Sequence, residues 1–127
     1  MKNIELVLVV EDDPISSYVI NLALRQHEAF LECIELPNGQ VAIDHLVGDG
    51  QRLPDLILLD INMPVMDGWE FLEKFSEMSV SQDIPVVMLT SSINPDDIEK
   101  ARAHQLVKGF LSKPLNKTKL DEVLTFI

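Results

Sequence analysis

Three stretches of the chain, residues 6–10, 56–59 and 84–89, are almost unbroken runs of apolar residues. Such runs suit strands buried on both faces, as in a parallel sheet. Two weaker stretches, at 30–36 with Cys33 and Ile34 inside and at 107–112, read as further strands. Between them, apolar residues recur at helical spacing. Ile15, Tyr18, Val19 and Leu22 mark a helix running to about residue 27, with Asp13 as its cap and Pro14 at its first position. Ala42, Ile43, Leu46 and Val47 mark a second, closed by Gly48-Asp49-Gly50. Trp69, Phe71, Leu72, Phe75 and Met78 mark a third, followed by a polar connection at 79–83. A fourth opens at Asn94 or Pro95, with Asp96 and Asp97 favourably placed at its positive end. Its apolar face is thin, with Ile98, Ala101 and little else. Asn116 caps the last helix, where Leu120, Val123, Leu124 and Ile127 line one face. Strand then helix, five times over with short links, predicts one α/β domain over 1–127, a parallel sheet with helices on both faces.

Ligands bind such sheets beyond the carboxyl ends of the strands. The polar residues ending strands one, three, four and five are Glu11 and Asp12, Asp60, Thr90, and Lys113, and all should meet at one edge. Asp60 is central. It ends the buried run 56–59, where a carboxylate is costly unless water or a cation reaches it. Pro64 and then Asp67-Gly68 stop the strand with turn signals. Asp60 is therefore expected at the mouth of the sheet, on a stiff loop.

Composition narrows the partners. The chain carries 21 acidic and 10 basic residues, a net charge of −11. That disfavours a nucleic-acid backbone or an anionic membrane as direct partner. It suits a cation site, although general surface acidity is the commoner cause. No run approaches the ~20 residues of a membrane span, and no signal peptide is evident. A lone Cys33 forms no internal disulfide, which points to the cytoplasm.

Each site residue has an ordinary explanation when taken singly. Asp60 could be a loop or cap aspartate, Glu11 and Asp12 a favourable helix start, Lys113 a solvated lysine, and Thr90 a β-branched strand end. Together they place three carboxylates, a cation and a hydroxyl around one point. Crowded carboxylates call for a hard divalent cation, and magnesium suits two or three of them plus a backbone carbonyl, which Asn62 could offer. Lys113 and Thr90 would then hold an anion. This constellation suits phosphoryl transfer to Asp60 as nucleophile, with magnesium, Lys113 and Thr90 on the peripheral oxygens. His27, His45 and His104 lack metal-ligand spacing, and no serine elbow or phosphate-cradling glycine loop is present. Asn62 and Ser92, flanking the site, are poor general bases, so an acyl phosphate at Asp60 should hydrolyse slowly.

The chain resembles the receiver domains of two-component response regulators over nearly all its length. The resemblance rests on Glu11-Asp12-Asp13-Pro14, on Asp60-Ile61-Asn62-Met63-Pro64 with Asp67-Gly68, on Leu89-Thr90-Ser91 and on Lys113-Pro114. It implies a flavodoxin-like strand order 2-1-3-4-5. It also implies phosphorylation of Asp60 by a sensor histidine kinase or histidine phosphotransfer protein, and magnesium held partly by Glu11 and Asp12. Signalling would run through the fourth helix, fifth strand and fifth helix. One departure stands out: the family often has tyrosine three residues before the lysine, and here Phe110 occupies that place, so a hydrogen-bonded aromatic switch is in doubt. Three alternatives are weaker. An aspartate-nucleophile phosphatase would need an acid where Asn62 stands. A flavodoxin-like cofactor binder would need a hydroxyl- and glycine-rich loop in place of Glu11-Asp12-Asp13. A degenerate receiver would lack a side chain that is present here. The chain stops with its fifth helix, which fits either a single-domain regulator or a piece of a larger one.

Overall fold

The alternation is realised as five strands and five helices. The computed structural model describes residues 3–48, 52–91 and 94–127. The strands are β1 (Ile4–Val10), β2 (Phe30–Leu36), β3 (Leu56–Asp60), β4 (Val86–Thr90) and β5 (Val107–Ser112). They form one parallel sheet in the order β2-β1-β3-β4-β5. The helices are α1 (Pro14–Arg25), α2 (Gly39–Val47), α3 (Gly68–Ser76), α4 (Pro95–Ala103) and α5 (Lys117–Phe126), and a single 3₁₀ turn spans Ser79–Gln82.

Side chains alternate through the central strands into two cores, as the pleat requires. Leu8, Val10, Ile57, Leu59, Val86 and Met88 point to one face, where α2, α3 and α4 cover them with Leu46, Phe71, Phe75 and Ala101. Val7, Val9, Leu56, Leu58, Val87 and Leu89 point to the other, covered by Ile20 and Leu24 of α1 and Leu120 and Val123 of α5. The continuous apolar runs are thus the strands buried on both faces. The edge strands β2 and β5 are only partly covered.

The caps follow the sequence closely. Asp13 accepts from the Ile15 and Ser16 amides, and Pro14 opens α1. Asn38, Asn94 and Asn116 cap α2, α4 and α5. Asp67 caps α3 with a reciprocal bond between Glu70 and the Asp67 amide, which satisfies two donors otherwise left unpaired. Asp49 and Gly50, expected to close α2, lie outside the described residues.

Two readings of α1 are corrected. The helix ends at Arg25, short of residue 27. Its inward side chains are Ile20 and Leu24, whereas Ile15, Tyr18 and Leu22 are 75%, 66% and 42% exposed. The helix is apolar on more than one side, so spacing alone left its rotation undetermined. His27, read as a helix-end residue, is instead buried. Its Nδ1 accepts from the Ala29 amide at 3.1 Å, and its Nε2 faces Asp121 Oδ1 at 2.7 Å. This joins the end of α1 to α5. The bond to His27, followed by that to Lys117, holds the Asp121 carboxyl below its ordinary pKa. Among the described residues no helix is long and apolar enough to cross a membrane.

Candidate phosphoacceptor site

Glu11 follows β1 directly, Asp60 ends β3, Thr90 ends β4 and Lys113 follows β5. The register of the parallel pairs brings these ends level: Asp60 stands beside Leu89, and Thr90 beside Ser112. The Lys113 amide donates to the Thr90 carbonyl at 2.7 Å, and the bond from Lys113 to Pro114 is cis.

The carboxylates converge. One oxygen each from Glu11, Asp12 and Asp60 lies within 4.8 Å of the others. Glu11 and Asp60 are buried, at 4% and 5% exposure. Lys113 Nζ donates to Glu11 Oε1 at 2.6 Å and stands 3.4 Å from Asp60 Oδ1. The sequence aimed this lysine at Asp60 or at an incoming anion. Its shortest contact is to Glu11, whose side chain is the more deeply buried and so the costlier to leave unpaired. Glu11 Oε2 is buried with no hydrogen-bond partner among the described residues. An unpaired carboxylate oxygen in a cluster of three is the donor set a hard divalent cation takes.

Burial pushes the Asp60 carboxyl up to about 7, helped by the neighbouring Glu11 carboxylate, with Lys113 acting the other way. Asp60 is therefore a strained anion that gains from any added positive charge.

The loop after Asp60 is pinned as expected. Ile61, Met63 and Met66 are buried in the core, the Gly68 amide donates to the Ile61 carbonyl at 2.8 Å, and the Met66 side chain presses on Gly39 of α2. Gly68 is required by contact. A Cβ there would lie 2.7 Å from the Asp60 carbonyl oxygen and 2.9 Å from Ile61 Cα. Sequence reading took Gly68 only as a turn residue, and this positioning role went unseen. Asn62, two residues past Asp60, is exposed. Thr90 is fully buried. Phe110 pairs with Met88 and packs into the core beneath α4, half-buried. By strand alternation Thr90, Met88 and Phe110 share one face of the sheet. Ser92 lies outside the described residues.

The sequence and the fold have known relatives. A family model described as a response regulator receiver domain covers residues 7–125. The two-component response regulator ORR41 of Oryza sativa subsp. japonica is 37% identical over 118 residues, 93% of this chain and 90% of the relative. Among solved structures, a two-component response regulator from Cytophaga hutchinsonii superposes with a TM-score of 0.87 at 29% identity, covering 98% of this chain and 96% of that one. The Mn(2+)-bound form of response regulator Rcp1 does so with a TM-score of 0.77 at 32% identity, over 94% and 88%. The chain belongs to the response-regulator receiver family, whose members signal through phosphorylation.

Proposed function

We propose that Asp60 is the phosphoacceptor of a signalling switch, taking its phosphoryl group from a phosphohistidine on a sensor kinase or phosphotransfer protein. An Asp60 carboxylate oxygen attacks phosphorus, the P–N bond breaks, and its electron pair leaves with the imidazole. The product is an acyl phosphate. The observation that carries this reading is the convergence of Glu11, Asp12 and Asp60 with Lys113 at the carboxyl edge of the sheet. Lys113 moves its charge between Glu11 and a phosphoryl oxygen, and the Thr90 hydroxyl serves a second oxygen. Glu11, Asp12 and Asp60, with the Asn62 backbone carbonyl, would hold magnesium, and the ion would neutralise charge on the phosphoryl oxygens. Incubation with acetyl phosphate and magnesium tests the reading. One phosphoryl group, mapped to Asp60 by mass spectrometry, is the expected result. Labelling elsewhere, or none, would overturn it.

Magnesium alone should stabilise the protein, because it binds only the folded cluster. A concentration tenfold above the dissociation constant gives about 1.4 kcal/mol. Thermal melts with and without the ion measure this, and Glu11→Gln should shrink the gain.

The partner surface is the face of α4, β5 and α5. The support is physical as well as familial: Ala101 is the one fully inward residue of α4, so that helix is held weakly and shifts readily. Phe110 shares a sheet face with Thr90, so movement of the Thr90 hydroxyl toward phosphate opens space for its ring. Without a hydroxyl the ring gains only apolar burial, at most roughly 1.5–3 kcal/mol. Phe110→Ala should leave Asp60 labelling intact and weaken the phosphorylation-dependent part of partner binding, read by titration before and after acetyl phosphate.

A further inference from the structure

The third residue of a helix is a favoured place for glutamate, which can return a bond to the cap as Glu70 does in α3. In α5 that place is held by Lys119. An ammonium there opposes the positive end of the helix, and the first turn of α5 carries no acidic residue to offset it. The other lysine of that turn, Lys117, is met by Asp121 at 3.2 Å. Lys119 has no carboxylate partner among the described residues. Its half-buried side chain turns back to β5 instead, where Nζ donates to the Ser112 carbonyl at 2.7 Å and stands 3.2 Å from the Ser112 hydroxyl.

That carbonyl belongs to the peptide unit joining Ser112 to Lys113, and the N–H of the same unit donates to the Thr90 carbonyl at 2.7 Å. The unit is trans. Its N–H and C=O therefore point opposite ways, and the carbonyl faces away from β4. β5 stands at the end of the sheet order, so no strand meets that side among the described residues, and such a carbonyl is ordinarily left to water. Lys119 takes it. The peptide is gripped at both ends, by β4 through its N–H and by α5 through its C=O. A bond from an ammonium is roughly twice as strong as a neutral one, and it polarises the peptide so that the N–H donates the better.

We infer that Lys119 is a positioning residue for phosphoryl transfer, acting through Lys113; the inference rests on the reading of Asp60 as the phosphoacceptor. The gripped peptide sets the direction in which the Lys113 side chain leaves the backbone. From that root Nζ reaches Glu11 at 2.6 Å and Asp60 at 3.4 Å. Only the side chain then has to swing from Glu11 to a phosphoryl oxygen. Without the outer grip the root moves with the edge strand, and the charge is in place for fewer of the encounters with a phosphodonor.

The test is a double-mutant cycle on the full chain, read as the rate of Asp60 labelling by acetyl phosphate and magnesium. Removing a charge-stabilising donor outright costs about a hundredfold or more, so Lys119→Met, which only loosens one, should slow labelling about tenfold. The magnesium concentration giving half the maximal rate should stay the same, because the carboxylates are untouched. Lys119→Arg keeps the charge and should recover most of the rate. In a Lys113→Met background, Lys119→Met should slow labelling no further, since the group it positions is gone. Exchange of the Lys113 amide, followed by NMR, should quicken in Lys119→Met while the amides of β3 keep their rates. Lys119→Gln, which also lacks the charge, replaces the methionine variant if that one does not fold. A wild-type rate in Lys119→Met, or equal slowing with and without Lys113, would overturn the inference; the second result would make Lys119 a structural prop or a general attractor of anions. An unlabelled wild type sinks the reading of Asp60 itself, whereas a labelled wild type with an unchanged Lys119→Met rate sinks only the positioning role.

Discussion

Asp60→Asn should abolish phosphoryl labelling and, in metal-free buffer above pH 7, make the protein more stable than the wild type. The first effect follows because the amide is not a competent nucleophile. The second follows from the cluster. Burial and Glu11 push the Asp60 carboxyl from its ordinary 3.8 up to about 7. The folded state thus holds this proton more tightly than the unfolded chain does. The stability contributed by Asp60 is full below about pH 4 and lost as pH rises through about 7. An asparagine carries no such loss, and Lys113 keeps its 2.6 Å partner in Glu11. The expected gain above pH 7 is about 1–2 kcal/mol, the cost of the buried charge discounted for screening by solvent at the site's mouth. Denaturation curves from pH 4 to 8 would show the two proteins converging at the acid end. Magnesium should narrow the gap by stabilising the ionised wild type. A wild type more stable than the variant throughout, in metal-free buffer, would mean that the carboxylates are not in conflict.

Gly68→Ala should slow labelling of Asp60 sharply, although residue 68 touches no phosphate. The added Cβ meets backbone, the Asp60 carbonyl at 2.7 Å and Ile61 Cα at 2.9 Å. A backbone contact has no rotamer to escape into, so either α3 withdraws or the end of β3 moves. Overpacking of this kind costs about 1–3 kcal/mol, partly offset by the better helix propensity of alanine. The effect on rate is larger, since a nucleophile displaced by on the order of 1 Å loses about a hundredfold. Urea denaturation and the time course of labelling separate the two. A variant that labels at the wild-type rate would show that the loop absorbs the methyl group without moving Asp60.

The carboxyl edge of the sheet, with its cluster of polar residues, was legible because its determinants are local. A buried strand announces itself by an unbroken apolar run, and a charged residue ending that run must face outward at the sheet's edge. Three such strands, with two weaker ones at 30–36 and 107–112, left little freedom in where Glu11, Asp60, Thr90 and Lys113 could go. What stayed hidden depends on distant partners. The rotation of α1 is set by what it docks on, and a helix bearing Ile15, Tyr18, Val19, Ile20, Leu22 and Leu24 offers several faces to choose from. His27 is settled by Asp121, 94 residues away. The first contact of Lys113 was decided by which carboxylate is the more deeply buried, a matter of depth that no motif records. Gly68 read as turn punctuation because its true constraint, the backbone of another segment pressing on it, has no mark in a single sequence.

The sheet order divides the site into fixed and loose members. Asp60 and Thr90 end β3 and β4, and Glu11 directly follows β1, three strands each hydrogen-bonded to neighbours on both sides. Lys113 hangs from β5, which has a neighbour on one side only and is partly exposed along most of its length. Strand edges open locally at far lower free energy than sheet centres. The carboxylates and the hydroxyl therefore form an anvil, and the cation proposed to change partners is mounted on the margin most free to breathe. Amide exchange in β5 should accordingly outpace that in β3 and β4, and the lysine's exchange between Glu11 and phosphate should share its clock with the fraying of that edge.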